Sequence, residues 1–98
     1  MEVRFRDDCL ERLEADPNED CGFGQAVVTA FRKRMQMIRA APDERVFRAL
    51  KSLHFEKLKG NRSHQFSMRL NDQWRLVVEL EGMGQEKTVI VVSIEDYH

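Results

Sequence analysis

Long hydrophobic runs are missing from this 98-residue sequence; the longest stretch free of Asp, Glu, Lys and Arg covers residues 21–31. A membrane-spanning helix needs about 20 predominantly apolar residues, so no membrane span is expected. No basic start followed by an apolar segment marks a secretory signal, and the expected compartment is the cytoplasm. Cysteine is scarce, with only Cys9 and Cys21. Two are too few for a disulfide scaffold, and each is expected as a separate thiol, buried or half-buried. With no C-x-x-C pair and three scattered histidines, structural zinc is not expected, and no other cofactor or metal is implied. Two prolines and five glycines mark turns but make no linker, repeat or low-complexity segment. Charge, by contrast, is plentiful. A chain that is 34% charged and 42% apolar reads as a soluble globular protein rather than a disordered one. Its length suits one domain over residues 1–98.

The net charge of −1 conceals a strong polarity along the chain. Residues 1–31 carry eight acids against three arginines, whereas residues 32–75 carry twelve Lys or Arg against four acids. Residues 76–98 are acidic again, with five acids and Lys87. The overall balance argues against nucleic acid as a partner, but the basic middle segment reopens that question. A solvated basic helix face is the competing explanation.

Hydrophobic periodicity places the elements. Val3 and Phe5 alternate with charged residues, as in a short strand with one buried face. Asp7 and Asp8 can cap a helix carrying Cys9, Leu10 and Leu13, which Asp16-Pro17 then stops. After Gly22 and Gly24, Val27, Val28, Phe31, Met35 and Ile38 fall at helical spacing, and Pro42 ends this longest helix. Arg45–Leu53 reads as a second, shorter helical piece with Val46, Phe47, Leu50 and Leu53 facing inward. Lys59-Gly60-Asn61 is a turn signal, and from His64 the period changes to two. Phe66, Met68 and Leu70 form one such series, and Trp74, Leu76, Val78 and Leu80 form the next. Thr88–Ile94 is an almost unbroken apolar run, expected as a central strand covered on both faces. The fold class is therefore α+β, with two N-terminal helices packed on a mainly antiparallel sheet in the order β-α-α-β-β-β.

The register of the first hairpin follows from the same pattern. A two-residue loop at Asn71-Asp72 would set Met68 against Arg75, which a half-buried sheet avoids. A three-residue loop, Asn71-Asp72-Gln73, pairs Leu70 with Trp74, Met68 with Leu76 and Phe66 with Val78. It also places Arg69 directly across from Arg75, and like charges so placed destabilise a sheet. Either a bound polyanion compensates, or acids such as Glu79 do. On this reading neither arginine has an obvious local partner, so replacing one is expected to cost little stability.

Three stretches resemble one family. They are Leu53-His54-Phe55-Glu56-Lys57-Leu58-Lys59-Gly60-Asn61-Arg62, then Ser67-Met68-Arg69-Leu70-Asn71-Asp72-Gln73-Trp74-Arg75, and finally Ile94-Glu95-Asp96-Tyr97-His98. Their order and spacing are similar to those of the HigB-type plasmid-maintenance killer toxins of the RelE/ParE superfamily. The close match covers about a third of the chain; the N-terminal half matches only as a helical hairpin. The resemblance implies a RelE-like toxin of a bacterial type II toxin–antitoxin system, acting in the cytoplasm. It further implies an endoribonuclease that enters the A site of the 70S ribosome and cleaves mRNA. Its implied partner is a HigA-like helix-turn-helix antitoxin, through which alone DNA would be reached.

The residues offer chemistry that agrees with this. RNA cleavage by internal transesterification needs a base for the 2′-OH proton, donors for the charge developing on phosphorus, and an acid for the leaving 5′-oxygen. Lys57, Lys59, Arg62, Arg69 and Arg75 supply a cluster of cationic donors, and arginine forks suit phosphate. Asp96, Tyr97 and His98 are the proton-transfer candidates; in an extended strand Asp96 and His98 share a side, where the carboxylate would orient the imidazole. The resemblance carries catalytic roles to His98, Tyr97, Asp96, Arg75 and His54, and RNA or phosphate binding to Lys57, Lys59, Arg62 and Arg69. At one position two alignments stay open. His54 precedes Lys57 by the family's three-residue spacing, but aligning on Lys59-Gly60 puts Glu56 there instead. A ParE-like gyrase inhibitor, or a non-catalytic binding module on the same fold, is the alternative. The acidic N-terminal third departs from the basic character of most RNA-directed relatives.

Overall fold

The computed structural model describes residues 1–84 and 86–96. In chain order the elements are β1 (Glu2–Phe5), α1 (Asp8–Ala15), α2 (Gln25–Ala40), α3 (Arg45–Ala49), β2 (Glu56–Lys57), β3 (Gln65–Arg69), β4 (Trp74–Glu81) and β5 (Thr88–Asp96). Single 3-10 turns occupy Lys51–Leu53 and Gly60–Arg62. None of the described helices is long and apolar enough to cross a membrane.

Local chemistry starts and stops the helices where the sequence indicates. The Asp7 carboxylate accepts from the amides of Cys9 (2.8 Å) and Leu10 (3.2 Å), satisfying donors the first turn of α1 leaves open. In α2 the 3.6-residue spacing buries Val27, Val28, Phe31, Met35 and Ile38 against the sheet. The expected second helical piece is broken. After five residues α3 ends at Leu50, whose ψ of 96° is extended, and a 3-10 turn follows. That break resets the helical phase: Phe47 and Leu53 are buried, but Leu50 is 42% exposed instead of facing inward.

The five strands run in the order β1-β5-β4-β3-β2. β1 lies parallel to β5; the other pairs are antiparallel. The hairpin register matches the expected three-residue loop, with Phe66 opposite Val78, Met68 opposite Leu76, and Arg69 opposite Arg75. The Leu70 amide closes the hairpin on the Trp74 carbonyl at 2.9 Å. β5 sits between β1 and β4, as its apolar run suggested. Two features add to the expected pattern. β2 is a two-residue edge strand, too short to show alternation, with Glu56 opposite Ser67 and Lys57 opposite Phe66. A bulge lies in β5 as well: Val77 pairs with Ser93 but Val78 with Val91, leaving Val92 as the extra residue. The bulge changes which side chains face the helices. Val89 and Val91 belong to the core on one side of it and Ile94 packs against that core on the other.

One sheet face joins α1 and α2 in a core centred on Leu13, Phe31, Met35, Ile38, Met68, Leu76 and Val78, each essentially without solvent contact. Burying each such side chain contributes about 1.5–3 kcal/mol. The opposite face carries Gln65, Ser67, Arg75 and Glu79, buried despite being polar. Polar groups withdrawn from water need partners, and these have them. Glu79 accepts from Gln65 Nε2 (2.9 Å) and pairs with Arg6 (2.6 Å).

The cysteines depart from expectation. Rather than standing as separate thiols, Cys9 and Cys21 are joined in a disulfide, with Cα atoms 6.0 Å apart. The stop at Asp16-Pro17 folds the chain back, so that Cys21 returns over the first turn of α1. Arg32 fixes that return from α2 by donating to the carbonyls of Leu13 (3.0 Å), Asp16 (2.8 Å) and Glu19 (3.1 Å).

Candidate active site

A cleft of about 310 Å³ opens where β2, β3, β4 and their loops meet, lined by His54, Glu56, Arg69, Asn71, Asp72 and Arg75. A smaller hollow of about 120 Å³ adjoins it, with Glu56 and Arg75 lining both. Arg62, Ser67, Glu95 and Asp96 also line the hollow. The two form a polar surface that begins at the β3–β4 loop and reaches the end of β5.

Arg75 is the centre of this surface and is only 9% exposed. Its Nε donates to Ser67 Oγ at 3.1 Å and its Nη2 to the His54 carbonyl at 2.6 Å. That second bond holds an unusual backbone. His54 has φ 48° and ψ 53°, the left-handed conformation a non-glycine residue seldom adopts. The residue closes the 3-10 turn, and the guanidinium stabilises the carbonyl that this conformation presents. The expectation that Arg75 lacks local partners is therefore corrected, and with it the expectation that its replacement would be nearly neutral for stability.

Arg69, across the ladder, is held differently. Its guanidinium donates to the Asn71 carbonyl at 3.3 Å and pairs with Asp72, whose carboxylate is 94% exposed. The Asn71 side chain orders the loop by accepting from the amides of Gln73 (2.9 Å) and Trp74 (2.8 Å). Glu79 does not neutralise the arginine pair; it serves Arg6 and Gln65 instead. From α2, Arg34 Nη2 donates to the Arg69 carbonyl at 2.7 Å, while its Nε is buried without a hydrogen-bond partner among the described residues. Burial pushes the Arg34 guanidinium pKa down.

Of the other expected site residues, Arg62 reaches the hollow with its fork already occupied. Nη1 and Nη2 donate to the two Glu95 oxygens at 2.9 and 2.6 Å. This bidentate bond holds the Glu95 carboxyl below the usual carboxylate range and raises Arg62. Ser93 Oγ adds a bond to Glu95 at 2.6 Å. Asp96, opposite Trp74 at the end of β5, accepts from Gln73 Nε2 at 3.2 Å. Lys57 and Lys59 are exposed and line neither the cleft nor the hollow; Lys57 lies across from Phe66, a position that alternates with the Ser67 and Arg75 face. Tyr97 and His98 lie outside the described residues. His54 and Glu56, the two alternatives for one position, both line the cleft. Asn71, Asp72, Ser67 and Glu95 were not singled out as site residues: the first two read only as a turn, and the other two depended on strand pairing for their placement.

Chemically, this surface offers two guanidinium groups from facing strands, an imidazole and two carboxylates, Glu56 and Asp72, around one opening. Such a set can hold a phosphodiester and exchange protons with it. The protein is thus a small α+β protein with a polar, arginine-bearing cleft on the face of the sheet opposite α1 and α2. A protein-family model described as "RelE-like toxin of type II toxin-antitoxin system HigB" matches residues 3–98. The chain belongs to this HigB-like toxin family. It is therefore the toxin of a type II pair, whose partner is an antitoxin. Among solved structures, a YoeB/ParE toxin from Agrobacterium tumefaciens is similar in fold, with a TM-score of 0.65 over 100% of both chains at 18% identity. No curated protein matches the chain.

Proposed function

We propose that this toxin is an mRNA endoribonuclease that acts in the A site of the 70S ribosome by internal transesterification. The observation that carries the reading is the cleft itself, in which Arg69 and Arg75 project from paired strands beside His54 and Glu56. In the proposed reaction His54 or Glu56 takes the proton from a ribose 2′-OH. The freed oxygen attacks the adjacent phosphorus, the 5′-oxygen leaves with a proton, and a 2′,3′-cyclic phosphate and a 5′-hydroxyl end result. Arg75 and Arg69 stabilise the charge that grows on the non-bridging oxygens, a contribution worth about 10²–10³-fold per donor in comparable sites.

Asp96, Tyr97 and His98 are proposed to supply the leaving-group proton, His98 as acid, Asp96 as its orienting carboxylate and Tyr97 as donor or stacking ring. Supporting this, Asp96 borders the hollow that shares Arg75 with the cleft. Lys57 and Lys59 guide the RNA backbone from outside the cleft, and Arg62 orders the hollow through Glu95. A helix-turn-helix antitoxin is proposed as the neutralising partner, acting in the bacterial cytoplasm.

The test is to map mRNA 5′ ends after brief induction and to assay cleavage on programmed ribosomes. His98→Ala is expected to lose about 10²–10⁴-fold in rate while leaving antitoxin binding unchanged. Fully toxic His98→Ala and Tyr97→Phe proteins would remove the catalytic role of the terminus. Growth arrest with intact mRNA and inhibited DNA supercoiling would move the protein to the gyrase-inhibiting class.

A further inference from the structure

Neither the cleft nor the proposed reaction uses the acidic N-terminal third or its two cysteines. Residues 7–20 hold seven acids and a single arginine. Within this segment and the turn after it, Cys9, Glu19 and Cys21 bring one sulfur, one carboxylate oxygen and one sulfur to within 4.8 Å of one another. All three residues are half-buried. The Glu19 carboxylate is held by backbone amides of Asp20 and Cys21, both at 3.1 Å, and by Arg12 Nε at 3.3 Å. Arg32 pins the loop around it through three carbonyls. The donor set is therefore positioned by the fold and not only by the disulfide.

We propose that, when the disulfide is reduced, Cys9, Cys21 and Glu19 form a binding site for a thiophilic divalent cation such as zinc. Two thiolates and one carboxylate are ligands of the right softness and number, with water as the fourth. A tetrahedral zinc with about 2.3 Å bonds holds two sulfurs about 3.8 Å apart. Cα atoms 6.0 Å apart are compatible with that separation. The surrounding acids favour a dication electrostatically.

Disulfides are rare in reducing compartments, where the dithiol form prevails. The chemistry balances simply. Two molecules of a low-molecular-mass thiol give two electrons and two protons to the disulfide, yielding both protein thiols and one small disulfide. The cation then binds the two sulfurs with release of two protons. Bonded sulfurs cannot ligate, so cation and disulfide exclude each other. Either one ties α1 to the turn that carries Phe23, whose ring meets the Trp74 ring edge-on at 5.7 Å.

The experiment uses the full chain, reduced and freed of metal without oxygen, and titrated with Co(II). One equivalent should produce an intense sulfur-to-cobalt charge-transfer band, which zinc then abolishes. The oxidised protein should show none. Cys9→Ser and Cys21→Ser should each weaken binding by about 10²-fold or more, and Glu19→Gln by about 10-fold, since loss of a ligand costs at least as much as the roughly 10–100-fold that loss of an outer-shell partner costs. A second readout needs no variant: zinc should slow alkylation of both thiols in the reduced wild-type protein. The proposal is overturned if the reduced protein gives no charge-transfer band, if either serine variant binds like wild type, or if zinc leaves alkylation rates unchanged.

Discussion

Replacing Arg75 by alanine probes fold and chemistry together, and the two effects separate cleanly. The guanidinium loses its bonds to Ser67 Oγ (3.1 Å) and the His54 carbonyl (2.6 Å). Hydrogen bonds from charged donors contribute about 1.5–3 kcal/mol each. Ser67, 5% exposed, is left with a buried hydroxyl to satisfy. The exposed His54 can hydrate its carbonyl, which reduces its share. A net loss of about 2–3 kcal/mol follows, or a fall of about 10–20 °C in melting temperature for a domain this size. Cleavage by the folded variant, assayed on programmed ribosomes well below its melting point, should fall a further 10²-fold or more. Arg75→Lys keeps the charge but loses the planar fork, so it should recover little of either. Ser67→Ala removes only the Nε acceptor and should cost about 1 kcal/mol with a much smaller effect on rate. A variant R75A that melts with wild type would refute the anchoring argument. A folded R75A that cleaves at the wild-type rate would refute the catalytic one.

Three further outcomes are expected. Asp72→Asn releases Arg69 from its exposed partner, so RNA-oligonucleotide affinity measured at low salt should rise; unchanged or weaker binding would show that Arg69 does not meet the phosphate. Glu95→Gln should lower stability at pH 7 by less than about 1 kcal/mol, because the Arg62 pair is partly solvated. The native Glu95 pKa is depressed from 4.5, so its contribution is present above that value and disappears as pH falls through the lowered one. Wild-type and E95Q stability curves should converge in acid, and a gap that widens there would contradict the ion-pair account. Phe55 stacks on Phe66 at 4.8 Å, beside Phe47 and under Arg48. Phe55→Ala should therefore cost about 2 kcal/mol in denaturant titrations while the folded protein still cleaves; a rate loss as deep as that of R75A would mean the stack positions His54 catalytically.

Which parts were legible in the sequence depended on whether a side-chain period existed to be read. Phe66, Met68 and Leu70 against Trp74, Leu76 and Val78 leave one register that keeps apolar residues together, and the arginine pairing follows from it. In β5 the run Val89–Val92 is apolar at every position, so no alternation reports the bulge at Val92 or the facing of Ser93 and Glu95. Two-residue β2 carries no period either, and proximity in sequence wrongly grouped Lys57 with the cleft arginines. Leu50 failed for a related reason: helical spacing presumes an unbroken helix, and α3 breaks there. The cysteines needed distance across a chain reversal, which spacing does not encode. Arg34 gave no signal at all, because its contact with the Arg69 carbonyl depends on how α2 crosses the sheet.

The facing arginines show how one strand pair can hold like charges and still present them. Arg75 is buried and donates to two neutral oxygens, Ser67 Oγ and the His54 carbonyl, which fix its direction. Arg69 is held by a carboxylate on a solvated loop, whose side chain is 94% exposed. Solvated ion pairs of this kind contribute about 1 kcal/mol or less, so a phosphate can take the place of Asp72 at small cost. Arg75 cannot be released so cheaply, because it also stabilises the left-handed backbone at His54. One arginine is therefore preorganised and the other exchangeable. If the proposed phosphate binding holds, an anion entering the cleft would meet Arg75 as a fixed donor and Arg69 as one that turns from Asp72. The same division explains why the facing charges are tolerated in the hairpin: each guanidinium has its own acceptors, Asn71 and Asp72 for Arg69, Ser67 and His54 for Arg75.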